Sequence, residues 1–381
     1  MTRIGFNAQR LAGQRLGVGR YIEYMIGRWA ALLEPDDELT LYLRRPVASF
    51  PMSPHGTVRA EVLESRMSGI PWENLHLRGA ARRDDVLFCP AYTAPLGFRG
   101  VTVVANHSVT ETEPGLNSWA YRQTYSRLYG QCAREAAAVI VPGEITRQSV
   151  IDLYGVAPSR VVIIPQGADE SFCPGTPEHV LREVRMRYFG TDRPFLLFVG
   201  KCSARRNIAG LIEAFAISKA EHKLPHGLLI FGPNFLGLQL KEVCKAFGVE
   251  GDVVQTDGMV NNHTELVPIY SAADIFVHPS QFEGWSMTTV EAMACGTPII
   301  ASKRGGMAEV TAGHALDIDE PTPEALADAI GRVLGDTDLR QDLQRRSRAR
   351  GLELNWGTIG RNTLQVVRNA AAGIAPHDGV G

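Results

Sequence analysis

The sequence predicts an α/β protein of two consecutive doubly wound domains, each built on a parallel sheet. Three observations carry this. Short β-branched runs alternate with amphipathic helical stretches along the whole chain. A Pro-, Gly- and polar-rich stretch, PQGADESFCPGTPEH at 165–179, interrupts the alternation, which then restarts. The 381 residues also exceed what one ordinary hydrophobic core accommodates.

In the first half, strands are expected over 4–7, 39–43, 86–89, 101–105, 138–141 and 161–164. The first helix follows Gly19, where Ile22, Met25, Ile26, Trp29 and Leu33 recur at helical spacing as a core-facing stripe. In the second half the strands are PFLLFVG (194–200), GLLIFG (227–232), DIFVHP (274–279) and TPIIAS (297–302). Helices are expected over 207–218, 236–247, 287–295 and 323–335, with a last one over 358–372 after Trp356. Sheets of this kind bind ligands beyond the carboxyl ends of their strands, so those ends are where chemistry is sought.

Composition narrows the function classes. A formal net charge of −2 gives no overall attraction to nucleic acid or anionic lipid. The six cysteines are scattered with no C-x-x-C pair, which argues against structural zinc and a disulfide framework. The N-terminus starts on a strand-like run and no apolar run reaches bilayer length, so a cytoplasmic location is expected. Asp317-Ile-Asp319 and Asp336-Thr-Asp338 are short acidic patterns with no His or further carboxylate beside them, and no metal site is expected there.

Four stretches carry candidate chemistry. FEGWSMTTVEAMACGTPII (282–300) leaves the DIFVHP strand with Glu283 on the loop and Glu291 in the second turn of a helix. Ser286 is the candidate N-cap and Gly296 the terminator. A helix start attracts anions, and carboxylates beside it accept from hydroxyls, a combination that suits a sugar or ribose attached to phosphate. Equally, Glu283 could be a solvated loop residue and Glu291 a helix-dipole partner. FVGKCSARRNIAGLIEAF (198–215) places Lys201, Arg205 and Arg206 after a strand, with Asn207 able to cap the next helix. It is no P-loop, since G-x-x-x-x-G-K-[ST] is absent. QRLAGQRLGVGRY (9–21) offers Gly17 and Gly19 as backbone donors before the first helix, but sits too far from its strand for a dinucleotide fingerprint. His107 closes the strand in VVANHSVTE, where a structural histidine and a functional one both fit.

Taken in order, these motifs resemble the retaining glycosyltransferases of the GT-B fold, family 4. The resemblance runs over nearly the whole chain, adding DVLFCPAYTAPL (85–96), VAPSRVVIIPQGAD (156–169), YSAADIFVHPSQFEGWSMTTVEAMACGTPIIAS (270–302) and GGMAEV (305–310). It implies two Rossmann-like domains facing each other across a donor cleft: 1–180 with a returning helix at 355–376, and 190–354. It implies that Lys201 and Arg206 hold the diphosphate of a nucleotide sugar, supported by Arg205, and that Glu291 binds the ribose hydroxyls. Glu283 would face the transferred sugar, and backbone N–H groups of Gly284, Trp285, Ser286 and Met287 would hold sugar and phosphates. His107 would meet the donor sugar, Gly17 and Gly19 would close over the phosphates, and Met259 and Val260 would pack against the base.

The implied activity is metal-independent transfer of a hexose with retention, with the nucleotide sugar as co-substrate and no resident cofactor. GDP-mannose is the first expectation for the donor, then UDP-glucose or a related UDP-sugar. The acceptor would be a glycan or a lipid-linked saccharide. A nucleotide-sugar epimerase and a non-catalytic nucleotide-sugar-binding protein are alternatives on the same fold. The usual E-G-F-G-L-P reads Glu283-Gly-Trp-Ser-Met-Thr288 here, which bears on the donor sugar. Two basic stretches on the first domain, LRGAARRDD (77–85) and YRQTYSRLYGQCAR (121–134), read as solvated faces, or as contacts with anionic lipid head groups at the inner face of a membrane or with a diphospholipid-linked glycan.

Overall fold

The structure is a computed structural model that describes residues 2–11, 17–109, 118–258, 260 and 263–380. Its contacts divide the chain into two compact units, 1–166 with 356–381, and 167–355.

The first unit holds a seven-stranded parallel sheet in the order β3-β2-β1-β4-β5-β6-β7. Its strands are β1 (Arg3–Asn7), β2 (Glu38–Leu43), β3 (Thr57–Val62), β4 (Val86–Cys89), β5 (Val101–Ala105), β6 (Ala138–Val141) and β7 (Val161–Ile163). The order reverses at β1, which pairs with both β2 and β4, and Asn7 lies at the carboxyl end of that switch point. Trp29 of the Val18–Leu32 helix anchors the core between Phe6 and Phe88, at ring distances of 5.3 and 5.0 Å. Its indole N–H donates to Gly360 O at 3.0 Å, fixing the Trp356–Ala372 helix to this unit. Trp356 stacks on Tyr24 at 4.8 Å. The final helix thus packs with the N-terminal sheet, although nearly two hundred residues of the other unit intervene.

The second unit holds a six-stranded parallel sheet, ordered β10-β9-β8-β11-β12-β13. These strands are β8 (Phe195–Val199), β9 (Gly227–Phe231), β10 (Val253–Thr256), β11 (Ile275–His278), β12 (Ile299–Ser302) and β13 (Leu316–Ile318). Every residue of β8 is buried: Phe195, Leu197 and Val199 join the core on one face, Leu196 and Phe198 that on the other. That is why the strand reads as a continuous apolar run instead of an alternating one.

The structure shifts the expected boundary. Residues 167–180, assigned above to the first domain, belong with the second unit. Ala168 N–H donates to Leu354 O at 2.9 Å, and Phe172 packs with Tyr270 at 6.0 Å. Polar composition marked a linker there, but its few apolar residues are committed to the second core.

Candidate functional site

In the second unit, the carboxyl ends of β8 and β11 bring the candidate residues together. The chain leaves β8 at Gly200 and forms a short 3-10 turn, Ala204–Arg206. Gly232, after the neighbouring β9, lies so close that a Cβ there would sit 1.9 Å from Gly200 O. No side chain fits between these strand ends, which keeps the floor of the site bare. Asn207 occupies the cap position of the Ile208–His222 helix but makes no side-chain cap. Its amide donates to Pro321 O at 2.8 Å instead, a correction to the capping expected from sequence.

After β11, the loop rises to Glu283, which is only 6% exposed. Its carboxylate is far from unpartnered. Arg205 Nη1 lies 2.8 Å from Oε2 and Arg206 Nε 3.3 Å from Oε1. Arg205 also donates to Phe282 O and accepts from Gln281 N–H at 2.8 Å, so the two loops are tied by backbone as well as charge. Burial alone would raise the Glu283 carboxyl, but Arg206, His278 and Arg205 outweigh it and hold it well below the usual carboxylate range. Glu283 is therefore ionised at neutral pH. Arg206 in turn is lowered by burial, with Glu283 opposing. Lys201 is exposed beside them, its carbonyl accepting from Arg206 Nη1 at 3.2 Å.

His278, the last residue of β11, was not singled out by sequence. It is buried between the rings of Phe198 and Phe276, each 6.1 Å away. Its Nε2 lies 3.1 Å from Ser280 Oγ, which is 3.4 Å from Glu283 Oε1. Its Nδ1 has no hydrogen-bond partner among the described residues. A protonated ring would leave an N–H unpaired between two phenyl faces, and burial lowers its pKa accordingly. The proton of the neutral ring therefore belongs on Nε2, facing Ser280 and Glu283.

The helix that follows is Met287–Ala294, with Ser286 as its N-cap: the hydroxyl accepts from Thr289 N–H at 3.3 Å and from Thr289 Oγ1 at 2.9 Å. Gly296 stands just past its end with φ at +79°. Glu291 is fully buried inside this helix, and Tyr270 O–H donates to its Oε2 at 3.0 Å. Tyr270 is a second residue sequence reasoning passed over. Trp285 and Val260 are half-buried against the same core, while Met287 is buried. Met259 lies outside the described residues.

The GGMAEV stretch has a structural purpose that no sequence pattern revealed. Gly305 and Gly306 run against the backbone of Glu283 and Gly284, with Gly306 N–H donating to Glu283 O at 2.7 Å. A Cβ at Gly305 would lie 2.3 Å from Glu283 O, and one at Gly306 2.0 Å from Gly284 O. Only glycine permits this approach, which holds the Glu283–Gly284 turn in place.

The remaining candidates belong to the first unit. Gly17 has φ +45° and precedes the Val18–Leu32 helix, while Gly19 is buried in its first turn; residues 12–16 lie outside the described residues. His107 has both ring nitrogens engaged: Nε2 lies 2.7 Å from Pro90 O, and Nδ1 2.7 Å from Gln166 Nε2. Burial pushes its pKa down to about 4, with the Pro90 bond opposing and Arg10 adding to the fall. The ring is thus neutral, donating from Nε2 and accepting at Nδ1, and neither nitrogen is left for a ligand. Of the acidic patterns, Asp336 caps the Thr337–Glu353 helix, its carboxylate accepting from Leu339 N–H at 3.0 Å.

Residues 17–172 match the family model for Glycosyltransferase Family 4, and residues 185–350 that for Glycosyl transferases group 1. The chain belongs to this glycosyltransferase family. Its fold is the GT-B fold, with two Rossmann-like parallel sheets in separate units. Among curated relatives of this family member is D-inositol 3-phosphate glycosyltransferase of Kineococcus radiotolerans, 28% identical over 63% of this chain and 59% of that protein. O-antigen chain mannosyltransferase B of Escherichia coli is 24% identical over 61% of each. The matches thus span less than two thirds of the length of these relatives. Sucrose-phosphate synthase from Thermosynechococcus elongatus superposes with a TM-score of 0.78 at 20% identity, over 98% of this chain and all of that one. HepE of Anabaena, solved with UDP-glucose, gives 0.78 at 18% identity, over 97% and 100%. At such identities the solved structures speak for the fold.

Proposed function

We propose that this chain transfers a hexose, with retention and without a metal, from a nucleoside diphosphate sugar to a hydroxyl of a glycan or lipid-linked acceptor. The observation that carries the reading is the cluster at the carboxyl end of the second sheet. There Arg205 and Arg206 clasp Glu283 at 2.8 and 3.3 Å, immediately before the capped helix that buries Glu291.

Breaking the sugar–phosphate bond leaves positive charge on the sugar and negative charge on the diphosphate. Lys201, Arg206 and the helix start supply the charge that stabilises the leaving group, in a position where no metal is needed. Charge-assisted bonds of this kind are worth about 1.5–3 kcal/mol each. Arg206 then lies between two anions, the Glu283 carboxylate and the diphosphate, with Lys201 adding positive charge beside it. Glu283, ionised and pinned by the His278–Ser280 pair, accepts from sugar hydroxyls. Its commitment to two arginines makes it a poor nucleophile, which favours attack on the same face, with the leaving phosphate taking the acceptor's proton. Glu291, fully buried and already accepting from Tyr270, accepts from the ribose once donor binding uncovers its carboxylate. The mannosyltransferase among the relatives supports GDP-mannose as the first donor to test, and UDP-glucose is the second.

Thermal unfolding against a panel of nucleoside diphosphate sugars tests this. The matching donor at a hundredfold excess over its Kd is expected to raise the Tm of the second unit by roughly 5–10 °C. No shift with any member of the panel contradicts the reading, and conversion of the donor to an epimer without acceptor replaces it with the epimerase.

A further inference from the structure

The second unit has a cavity at the opposite end of its sheet from the donor site. It holds about 430 Å³ and opens beside Ala273 and Pro298, which stand just before β11 and β12. The donor residues gather instead at the carboxyl ends of the strands. The Met287–Ala294 helix runs from one place to the other: Ser286 caps it at the donor end, and Cys295 and Gly296 close it at the cavity.

Three kinds of wall line this cavity. The first is cationic: Arg345 and Arg348 are three apart in the Thr337–Glu353 helix and so lie on one side of it. Arg348 Nη1 donates to Ala294 O at 2.6 Å, which seats its guanidinium at the end of the donor helix and leaves the rest of the fork for a ligand. Arg345 is exposed and meets Asp342 at 2.9 Å, a surface pair that holds it only weakly. The second wall is hydroxylic: Thr176 Oγ1 donates to Ser271 Oγ at 3.1 Å, and Thr297 Oγ1 to Tyr270 O at 2.9 Å. The third, from Pro174, Leu181 and Pro298, is apolar. Among the described residues no carboxylate and no aromatic ring lines the cavity. It therefore favours an anion and offers no platform for a nucleotide base.

We propose that this cavity binds a phosphate monoester of a small sugar or polyol and acts as an effector site for the donor helix. The phosphate meets both guanidiniums, which donate to its oxygens in charge-assisted bonds. The hydroxyl wall exchanges hydrogen bonds with the polyol, and the carbon skeleton lies against the prolines and Leu181. The volume is that of a small-molecule site. Inorganic phosphate alone would leave the hydroxyl and apolar walls unused. Occupancy reaches the donor end through the backbone: Cys295 N–H donates to Glu291 O and Thr297 N–H to Ala292 O, each at 3.0 Å. A ligand that holds this last turn also holds the helix that carries Glu291, so each ligand favours binding of the other. The effect on the donor rests on the transfer reading above; binding itself does not.

Calorimetric titration of the full chain with glucose 6-phosphate, glycerol 3-phosphate, inorganic phosphate and glucose, without donor, is the test. At least one of the two esters is expected to bind about tenfold more tightly than either inorganic phosphate or glucose. Arg345→Glu should weaken that binding by about tenfold at an unchanged melting temperature, while Lys201→Ala, at the donor site, leaves it intact. Saturating ester should lower the donor KM by about threefold in the native chain and not in Arg345→Glu. The proposal falls if neither ester binds, if inorganic phosphate binds as tightly as both, or if Arg345→Glu leaves binding unchanged. It falls equally if Lys201→Ala abolishes binding, which would put the ester in the donor site. An unchanged donor KM with the ester bound overturns the effector role. Failure of the transfer reading shows separately, as absence of donor-induced stabilisation in a chain that still binds the ester.

Discussion

Replacing Glu291 with Ala is expected to lower kcat/KM for the nucleotide sugar by about 10²–10³-fold, with most of the loss in donor affinity. The carboxylate is fully buried in the Met287–Ala294 helix, and Tyr270 O–H fixes Oε2 at 3.0 Å. Two bonds from ribose hydroxyls to an anion would be worth about 3–4 kcal/mol together, which sets the magnitude. Ala also leaves the Tyr270 hydroxyl without this partner, so part of any loss is structural. Two further variants separate the causes. Tyr270→Phe removes the support and keeps the carboxylate, and is expected to cost no more than about tenfold. Glu291→Gln keeps the shape, keeps an oxygen for Tyr270 and removes the charge, and is expected to retain the melting temperature while losing most of the affinity. Steady-state kinetics with the donor varied at fixed acceptor reads all three. Equal effects of Tyr270→Phe and Glu291→Ala would make Glu291 a packing residue.

Gly306→Ala is expected to reduce transfer by about 10²-fold while leaving the chain folded. Its backbone angles suit any residue, with φ at −71°, so the effect comes from space alone. The added methyl would lie 2.0 Å from Gly284 O, a backbone atom that cannot rotate away. The Glu283–Gly284 turn must retreat by more than 1 Å, taking the Gly306 N–H···Glu283 O bond and the carboxylate's position relative to Arg205 and Arg206 with it. Overpacking of this kind lowers stability by about 1–3 kcal/mol. Gly251→Ala is the matched control, since its methyl would meet nothing within 4 Å, and its effect should stay within about 0.5 kcal/mol. Melting curves and kinetics on both variants check the pair, and normal turnover in Gly306→Ala would mean that the position of this turn is unimportant.

Legibility in the sequence followed burial. β8, β9, β11 and β12 are buried on both faces and read as apolar runs, and the stripe ending at Trp29 and Leu33 read as a helix. The edge strands β3 and β10 did not. TVRAEV buries only Val58, and VVQT has no fully buried residue, so neither carries the apolar signal of a central strand. The expected helix over 236–247 starts at Leu240, because Asn234 folds the preceding loop by exchanging hydrogen bonds with Leu238 at 2.8 and 2.9 Å.

The candidate site divides in the same way. Local chemistry was readable: Ser286 as a cap, Glu291 one helical turn on, a basic loop after a strand. Pairing across the fold was not. Glu283 has no cation near it in sequence, and its partners Arg205 and Arg206 come from a loop some eighty residues earlier. His278 looked like one more strand residue, because nothing in DIFVHP reveals that it lies between two phenyl rings and faces a carboxylate. For His107, position at a strand end suggested a ligand contact, yet Pro90 and Gln166 occupy both nitrogens.

The central claim is that the carboxyl end of the second sheet holds the donor. Amide hydrogen exchange on the full chain, with and without the donor selected by thermal unfolding, tests it most directly. Protection is expected over 200–207 and 283–291, the basic loop and the turn leading through the capped helix start. Protection confined to 174–176 and 344–348, on a separate cavity of about 430 Å³ lined by Cys295, Arg345 and Arg348, would place the nucleotide elsewhere and contradict the account.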